Sequence, residues 1–194
     1  MRPFFEQKII LASKSPRRAE LLKGLGVDFE IRTKETDESF PEDMPVHQVA
    51  GYLSHKKAMD FLPEMGDDEW VLTADTVVIS EGKILGKPKD LEDARQMLQQ
   101  LSGKMHEVVT GITLQGKGKS ITVQDTAKVF FKELSGREIE FYVEHFKPLD
   151  KAGSYGIQEW IGYIAVAKIE GSFYTVMGLP VHEVYRLLSE ISRS

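Results

Sequence analysis

The chain has 194 residues, 41% of them hydrophobic and 28% charged, enough apolar material for a sizeable core and too much for disorder. A net charge of −5 excludes general affinity for nucleic-acid backbones or anionic membranes, so any anion site has to be local. The absence of cysteine excludes disulfides, thiolate zinc sites and a cysteine nucleophile, and fits a reducing cytosol.

The N-terminal apolar run is too short for a signal peptide and no stretch reaches the length of a membrane span, so a soluble, cytoplasmic protein is expected. The spacing predicts a short strand (Ile9, Ile10, Leu11), a tight turn, and a helix whose apolar positions are Ala19, Leu21, Leu22 and Leu25. Pro16 suits the first helical position and Ser15 the N-cap. Arg17 and Arg18 in the first turn oppose the helix dipole, a wasteful placement unless an anion binds between them; otherwise they are solvated.

Residues 27–31 alternate as a half-buried strand. The acidic loop over residues 33–45, with Glu35, Asp37, Glu38, Glu42 and Asp43, is either solvated or a holder of a divalent cation. From Val46 a helical stripe of Val49, Ala50, Leu53 and Phe61 is interrupted at Lys57, whose amine either snorkels to solvent or points into a cleft. Lys56 is rotated off that stripe and is expected to be solvated.

Residues 70–79 form a nearly continuous apolar strand broken by Asp75. A carboxylate there is costly unless paired, hydrogen-bonded or metal-bound; the alternative is a bulge or strand end that turns Asp75 to water. Gly82 marks a hairpin turn, and residues 85–88 an exposed elbow carrying Lys87. A helix is expected over 91–101, capped by Asp90, then strands over 106–114 and 120–131 paired antiparallel. Ser135 with Glu138 reads as a capping box opening a helix that reaches about His145.

Residues 148–158 form an irregular loop with two glycines, ending at Gln158, whose amide offers both a donor and an acceptor to a nucleobase edge. Strands are expected over 163–169 and 173–176, and a last helix with Val181, Val184, Tyr185, Leu188 and Ile191 on one face. The five histidines lack metal-ligand spacing, and no Gly-x-Ser-x-Gly elbow, Gly-Lys-Ser/Thr phosphate loop or dinucleotide fingerprint is present. What remains is four cations (Arg17, Arg18, Lys57, Lys87), two carboxylates (Glu38, Asp75) and Gln158, parts that suit a polyphosphate.

The run Leu-Ala-Ser-Lys-Ser-Pro-Arg-Arg-Ala-Glu-Leu-Leu (11–22) resembles the opening signature of the Maf family of nucleoside triphosphate pyrophosphatases. The resemblance continues in order through Lys-Lys-Ala (56–58), Ala-Asp-Thr-Val-Val (74–78), Gly-Lys-Pro (86–88), Leu-Ser-Gly-Lys-Met-His (101–106), Asp-Lys-Ala-Gly-Ser-Tyr-Gly-Ile-Gln (150–158) and Gly-Ser-Phe-Tyr-Thr-Val-Met-Gly-Leu-Pro (171–180). It implies a single mixed α/β domain over 1–194, with an elongated sheet, two lobes and a deep cleft, similar to the inosine triphosphate pyrophosphatases. The implied reaction is hydrolysis of the α–β bond of a nucleoside triphosphate, with a divalent metal (Mg, Mn or Co).

By position, Asp75 matches the family's proton acceptor, and Ser13, Arg18, Lys57 and Lys87 its phosphate-holding residues, the two lysines counted with Asp75 as catalytic. Glu38, with Asp75, falls at the metal position. Arg17, Thr76 and Gln158 match positions associated with base selectivity, in a combination resembling the branch that acts on dTTP and UTP. The alternatives are the 7-methyl-GTP branch and a nucleotide-binding regulator of septum formation without turnover. The resemblance also implies a nucleoside triphosphate as partner, no nucleic acid or membrane, and leaves a homodimer open. Glu159-Trp160 and Tyr174-Thr175 depart from the usual family pattern.

Overall fold

The computed structural model describes residues 5–192; the first four residues of the N-terminal reading lie outside them. Among the described residues the chain forms β1 (Lys8–Leu11), α1 (Pro16–Gly24), β2 (Phe29–Ile31), α2 (Val49–Met59), β3 (Glu69–Ser80), β4 (Lys83–Leu85), α3 (Leu91–Leu101), β5 (Met105–Gln115), β6 (Ser120–Phe131), α4 (Gly136–Phe146), α5 (Trp160–Ala165), β7 (Val166–Glu170), α6 (Phe173–Met177) and α7 (Val181–Ile191). The strands pair in the order β2-β1-β3-β5-β6-β7, with β4 on β3, so the fold is mixed α/β.

Two compact units divide the chain: Met1–Asp75 with Thr110–Asp125 and Gly178–Ser194, and Thr76–Val109 with Thr126–Met177. In the first, β1 lies parallel between β2 and the start of β3, in the registers Ile9↔Phe29 and Ile9↔Trp70. Parallel strands buried on both faces read as continuous apolar runs, and Ile9, Ile10, Leu11, Val71 and Leu72 are all buried. Leu22 of α1 and Val184, Leu187, Leu188 and Ile191 of α7 share one apolar cluster with Ile9, Leu11 and Leu72. Tyr185, expected on that buried face, is 44% exposed and Leu187 takes the inner position.

Helix α2 approaches β5 unusually closely. A Cβ on Gly111 would overlap the Ala50 and Gly51 backbone, so only glycine lets the helix lie there. Hydroxyls then tie the elements together. Thr73 of β3 donates to the Ser54 carbonyl (2.7 Å), and Ser54 Oγ meets Thr113 Oγ1 of β5 at 2.9 Å.

In the second unit, β3 turns back through Gly82 onto β4, with Val78 opposite Leu85, and β7 runs antiparallel to β6. Leu98 and Leu101 of α3, Tyr142 and Val143 of α4, and Ile161 and Ala165 of α5 pack one core with Val108, Val129 and Phe131. Helix α3 starts where the sequence predicts, with the Asp90 carboxylate accepting from Asp93 N–H at 2.8 Å, and α4 carries the expected capping box.

Two expected strands are not strands as predicted. Tyr163 lies in α5, so that strand begins only at Val166, and residues 173–176 form part of α6. Their aromatic and β-branched composition favours strand, but propensity is a weak prior. Gly162 packs directly on the Ile157 carbonyl, while Val176 and Met177 face the apolar core, and those tertiary contacts reward helical spacing.

Candidate active site

The turn after β1 carries the first two site residues. Ser13 is buried, and its Oγ accepts from the Ser15 N–H at 3.2 Å, bending the chain into α1. Ser15 occupies the N-cap and Pro16 follows it as expected, but Ser15 makes no side-chain cap. The side chain that organises this helix start is therefore Ser13, two residues earlier.

Arg18 reaches back from the first turn of α1. Its Nε donates to the Gly178 carbonyl and its Nη1 to the Ala74 carbonyl, both at 2.8 Å, and Nη1 lies 3.5 Å from Ser13 Oγ. The guanidinium thus pins the peptide immediately before Asp75. Burial pushes the Arg18 pKa down, the Asp75 carboxylate opposes that shift, Arg17 adds to it and Glu38 opposes it. Arginine remains a cation under these influences. Those four charges therefore belong to one electrostatic neighbourhood.

Asp75 stands in mid-strand rather than at a bulge or strand end, and its neighbours in β3 from Val71 to Ala74 are buried. It is held by Lys57: the ammonium donates to Asp75 Oδ2 and, at 2.8 Å, to Glu38 Oε1. The side chains of Lys57 and Asp75 are only 18% and 13% exposed. Of the two readings for Lys57, the amine turns inward, because α2 places it one turn after Ser54, on the side anchored to β3. A single ammonium bridging two carboxylates, one positive charge between two negative ones, is a compact charge cluster that water only partly screens.

Lys56 is not merely solvated. Its ammonium binds Asp37 Oδ2 at 2.8 Å and the Ser39 carbonyl at 3.0 Å. Hydrogen bonds from Lys56 and then Ser39 hold the Asp37 carboxyl well below the usual carboxylate range. Adjacent lysines on α2 thus grip adjacent acids of the 33–45 loop, and the second grip brings Glu38 to Asp75.

In the first unit, then, the structure brings together Ser13, Arg17, Arg18, Glu38, Lys57 and Asp75. Thr76, Lys87 and Gln158 belong to the second unit. There Gly153 N–H donates to the Gly86 carbonyl at 3.1 Å, joining the loop that leads to Gln158 to the elbow bearing exposed Lys87. Gly153 has φ +68 and a Cβ there would press on Val78, so the loop's close approach to β3 depends on glycine. Half-buried Gln158 and Thr76 complete the predicted set.

Gly111, Thr73 and Ser54, which seat the lysine-bearing helix, escape a reading based on charge. A glycine inside a predicted strand was the available signal for one of them.

A family profile described as "Maf-like protein" matches residues 8–191. A protein of Phocaeicola vulgatus named dTTP/UTP pyrophosphatase is 47% identical over 185 residues, 95% of this chain and 96% of that protein. Proteins of the same name from Porphyromonas gingivalis (47% over 190 residues, 96% of each chain) and Flavobacterium johnsoniae (45% over 184 residues, 95% of each) match comparably. Among solved structures, the Staphylococcus aureus Ham1 protein overlaps 64% of this chain and 72% of its own, at 13% identity and a TM-score of 0.49. Overlap at that level supports no statement about chemistry.

Proposed function

The chain belongs to the Maf family, and from that premise we propose that it hydrolyses dTTP and UTP to the nucleoside monophosphate and pyrophosphate. The observation that carries this reading is the Lys57 ammonium shared by Glu38 and Asp75, beside the arginine-bearing start of α1. A carboxylate fixed in mid-strand is positioned to meet a water's proton, and the cations nearby suit a polyphosphate.

In the proposed reaction, a water oxygen bonds to the α-phosphorus while the α–β anhydride P–O bond breaks. Its electron pair leaves with pyrophosphate, and Asp75 takes the water's proton. Lys57 holds Asp75 in place and exchanges part of its contact for phosphate oxygen. Arg18, fixed on the Ala74 and Gly178 carbonyls, contributes positive potential and, with Ser13, shapes the turn that receives phosphate. On resemblance alone, Lys87 is assigned to phosphate, and Arg17, Thr76 and Gln158 to base choice.

The donor set also fits a divalent ion. Glu38 and Asp75 already converge on one cation, and Mg, Mn or Co takes one or two carboxylates with the remaining positions left to phosphate and water. Bound there, the ion would neutralise phosphate charge and so favour attack on phosphorus.

A panel of dTTP, UTP, CTP, dGTP and 7-methyl-GTP, incubated with Mg²⁺ or Mn²⁺ and with product identification, tests the proposal. Pyrophosphate and monophosphate from dTTP and UTP, lost on chelation, are expected. Orthophosphate release, or nucleotide binding without turnover, refutes the reaction; preferential cleavage of 7-methyl-GTP refutes the substrate branch.

A further inference from the structure

Gln158 sits inside a turn whose two ends are braced by one buried phenol. Glu159 N–H donates to the Gly156 carbonyl at 3.0 Å, closing a four-residue turn with Ile157 and Gln158 as its central pair. Tyr142 of α4 is fully buried, and its hydroxyl accepts from Gly156 N–H at 3.1 Å while donating to Glu159 Oε2. The same oxygen therefore holds the first and the last residue of the turn.

The brace extends to Lys151, which is 8% exposed and whose ammonium lies 3.1 Å from Glu159 Oε1 and 2.7 Å from Asp150 Oδ1. Glu159 leaves no room above Gly156: a Cβ there would come within 2.7 Å of the Glu159 carboxyl carbon. Burial and the Glu159 carboxylate raise the phenol's pKa, so Tyr142 stays a donor across the working pH range. Glu159 departs from the usual family pattern, and Tyr142 lies outside every block that carried the resemblance.

We infer that Tyr142 and Glu159 are positioning residues for base selection: they lock the Gly156–Glu159 turn so that the Gln158 side chain reaches a pyrimidine edge from one fixed backbone position. The inference rests on the proposed function and adds the device that makes its substrate choice selective. A loop with two glycines at 153 and 156 is otherwise free to shift the backbone from which the Gln158 side chain projects, and a shifted amide no longer lines up its donor and acceptor with a base edge. A buried donor–acceptor pair across the turn removes that freedom before substrate arrives.

Tyr142→Phe keeps the ring in the core and removes only the bridging oxygen; Glu159→Gln perturbs the same brace from the other end. With the full-length protein, kcat and KM are measured for dTTP, UTP, dGTP and 7-methyl-GTP. Both variants should raise KM for dTTP and UTP on the order of tenfold, leave kcat within about twofold, and shrink the preference over purine nucleotides. Equal losses on all four nucleotides in both variants would mean a merely structural role, and unchanged selectivity in both would also overturn the inference. Should Tyr142→Phe fail to fold, Glu159→Gln decides alone. Failure of the unaltered protein to release pyrophosphate from any nucleotide overturns the proposed function itself, and is distinct from a variant that turns over with its preference intact.

Discussion

Replacing Asp75 by asparagine separates chemistry from folding more cleanly than any other change at this site. The amide of Asp75→Asn keeps the side chain's shape and an oxygen able to accept from Lys57, but it cannot take a proton from water. Removal of a general base costs about 10²–10⁴-fold in rate, or roughly 3–5 kcal/mol of barrier. The stability cost should be much smaller. Breaking a buried ion pair normally costs about 3–5 kcal/mol because one charge is left without a counter-ion.

Here Lys57 keeps Glu38 at 2.8 Å, and the Glu38 side chain is 51% exposed, so its charge is readily accommodated. A loss near 1 kcal/mol follows, equivalent to a fall of about 2–4 °C in Tm for a chain of this size. The assay is pyrophosphate release from dTTP under saturating substrate, alongside a thermal melt of the same preparation. Turnover above about a tenth of the unaltered rate would place the base elsewhere. Loss of turnover together with collapse of the melt would make Asp75 a structural residue.

Gly111→Ala should force α2 away from β5, because the new methyl meets the Ala50 and Gly51 backbone rather than a movable side chain. A loss of about 3 kcal/mol, at the upper end of ordinary overpacking, and a fall in turnover are expected together, since α2 carries Lys57; an unchanged melt refutes the packing argument. His106 governs a separate pH window. It is 1% exposed, its Nε2 lies 2.8 Å from the Tyr155 hydroxyl, and burial pushes its pKa from 6.5 down to about 4. The unfolded chain therefore binds the extra proton between those values, so stability is greatest above pH 6.5 and falls by up to about 3 kcal/mol as pH drops through the window. Glu69 and Glu138 are held down to about 2, chiefly by Arg32 and Lys132 respectively; their contribution is present above 4.5 and is lost only below it, down to that value. Denaturant unfolding of the native protein and of His106→Gln between pH 8 and 4.5 should show a slope in the former that the latter lacks, and parallel curves would refute the assignment.

By itself the sequence determined the elements with strong local signals. The helix over 91–101 with its Asp90 cap, the Ser135–Glu138 box and the Pro16 start rest on hydrogen bonds or dihedral preferences within a few residues of one another, and the 70–79 strand announces itself as a continuous apolar run, although its ladder partners lie far away in the chain. The identity of the charged groups was equally accessible, because a lysine in an apolar helix stripe and an aspartate in an apolar strand are each conspicuous. Only the tertiary structure decided that this lysine reaches that aspartate, that Lys56 and Lys57 grip Asp37 and Glu38, and that Arg18 binds backbone carbonyls at 74 and 178. It also overruled strand propensity over 173–176. These outcomes depend on contacts between residues 18 to 160 positions apart, and on a close helix–strand approach permitted by one glycine. No periodicity along the chain encodes such pairings, because partners are selected by which surfaces can pack and which buried charges can be neutralised.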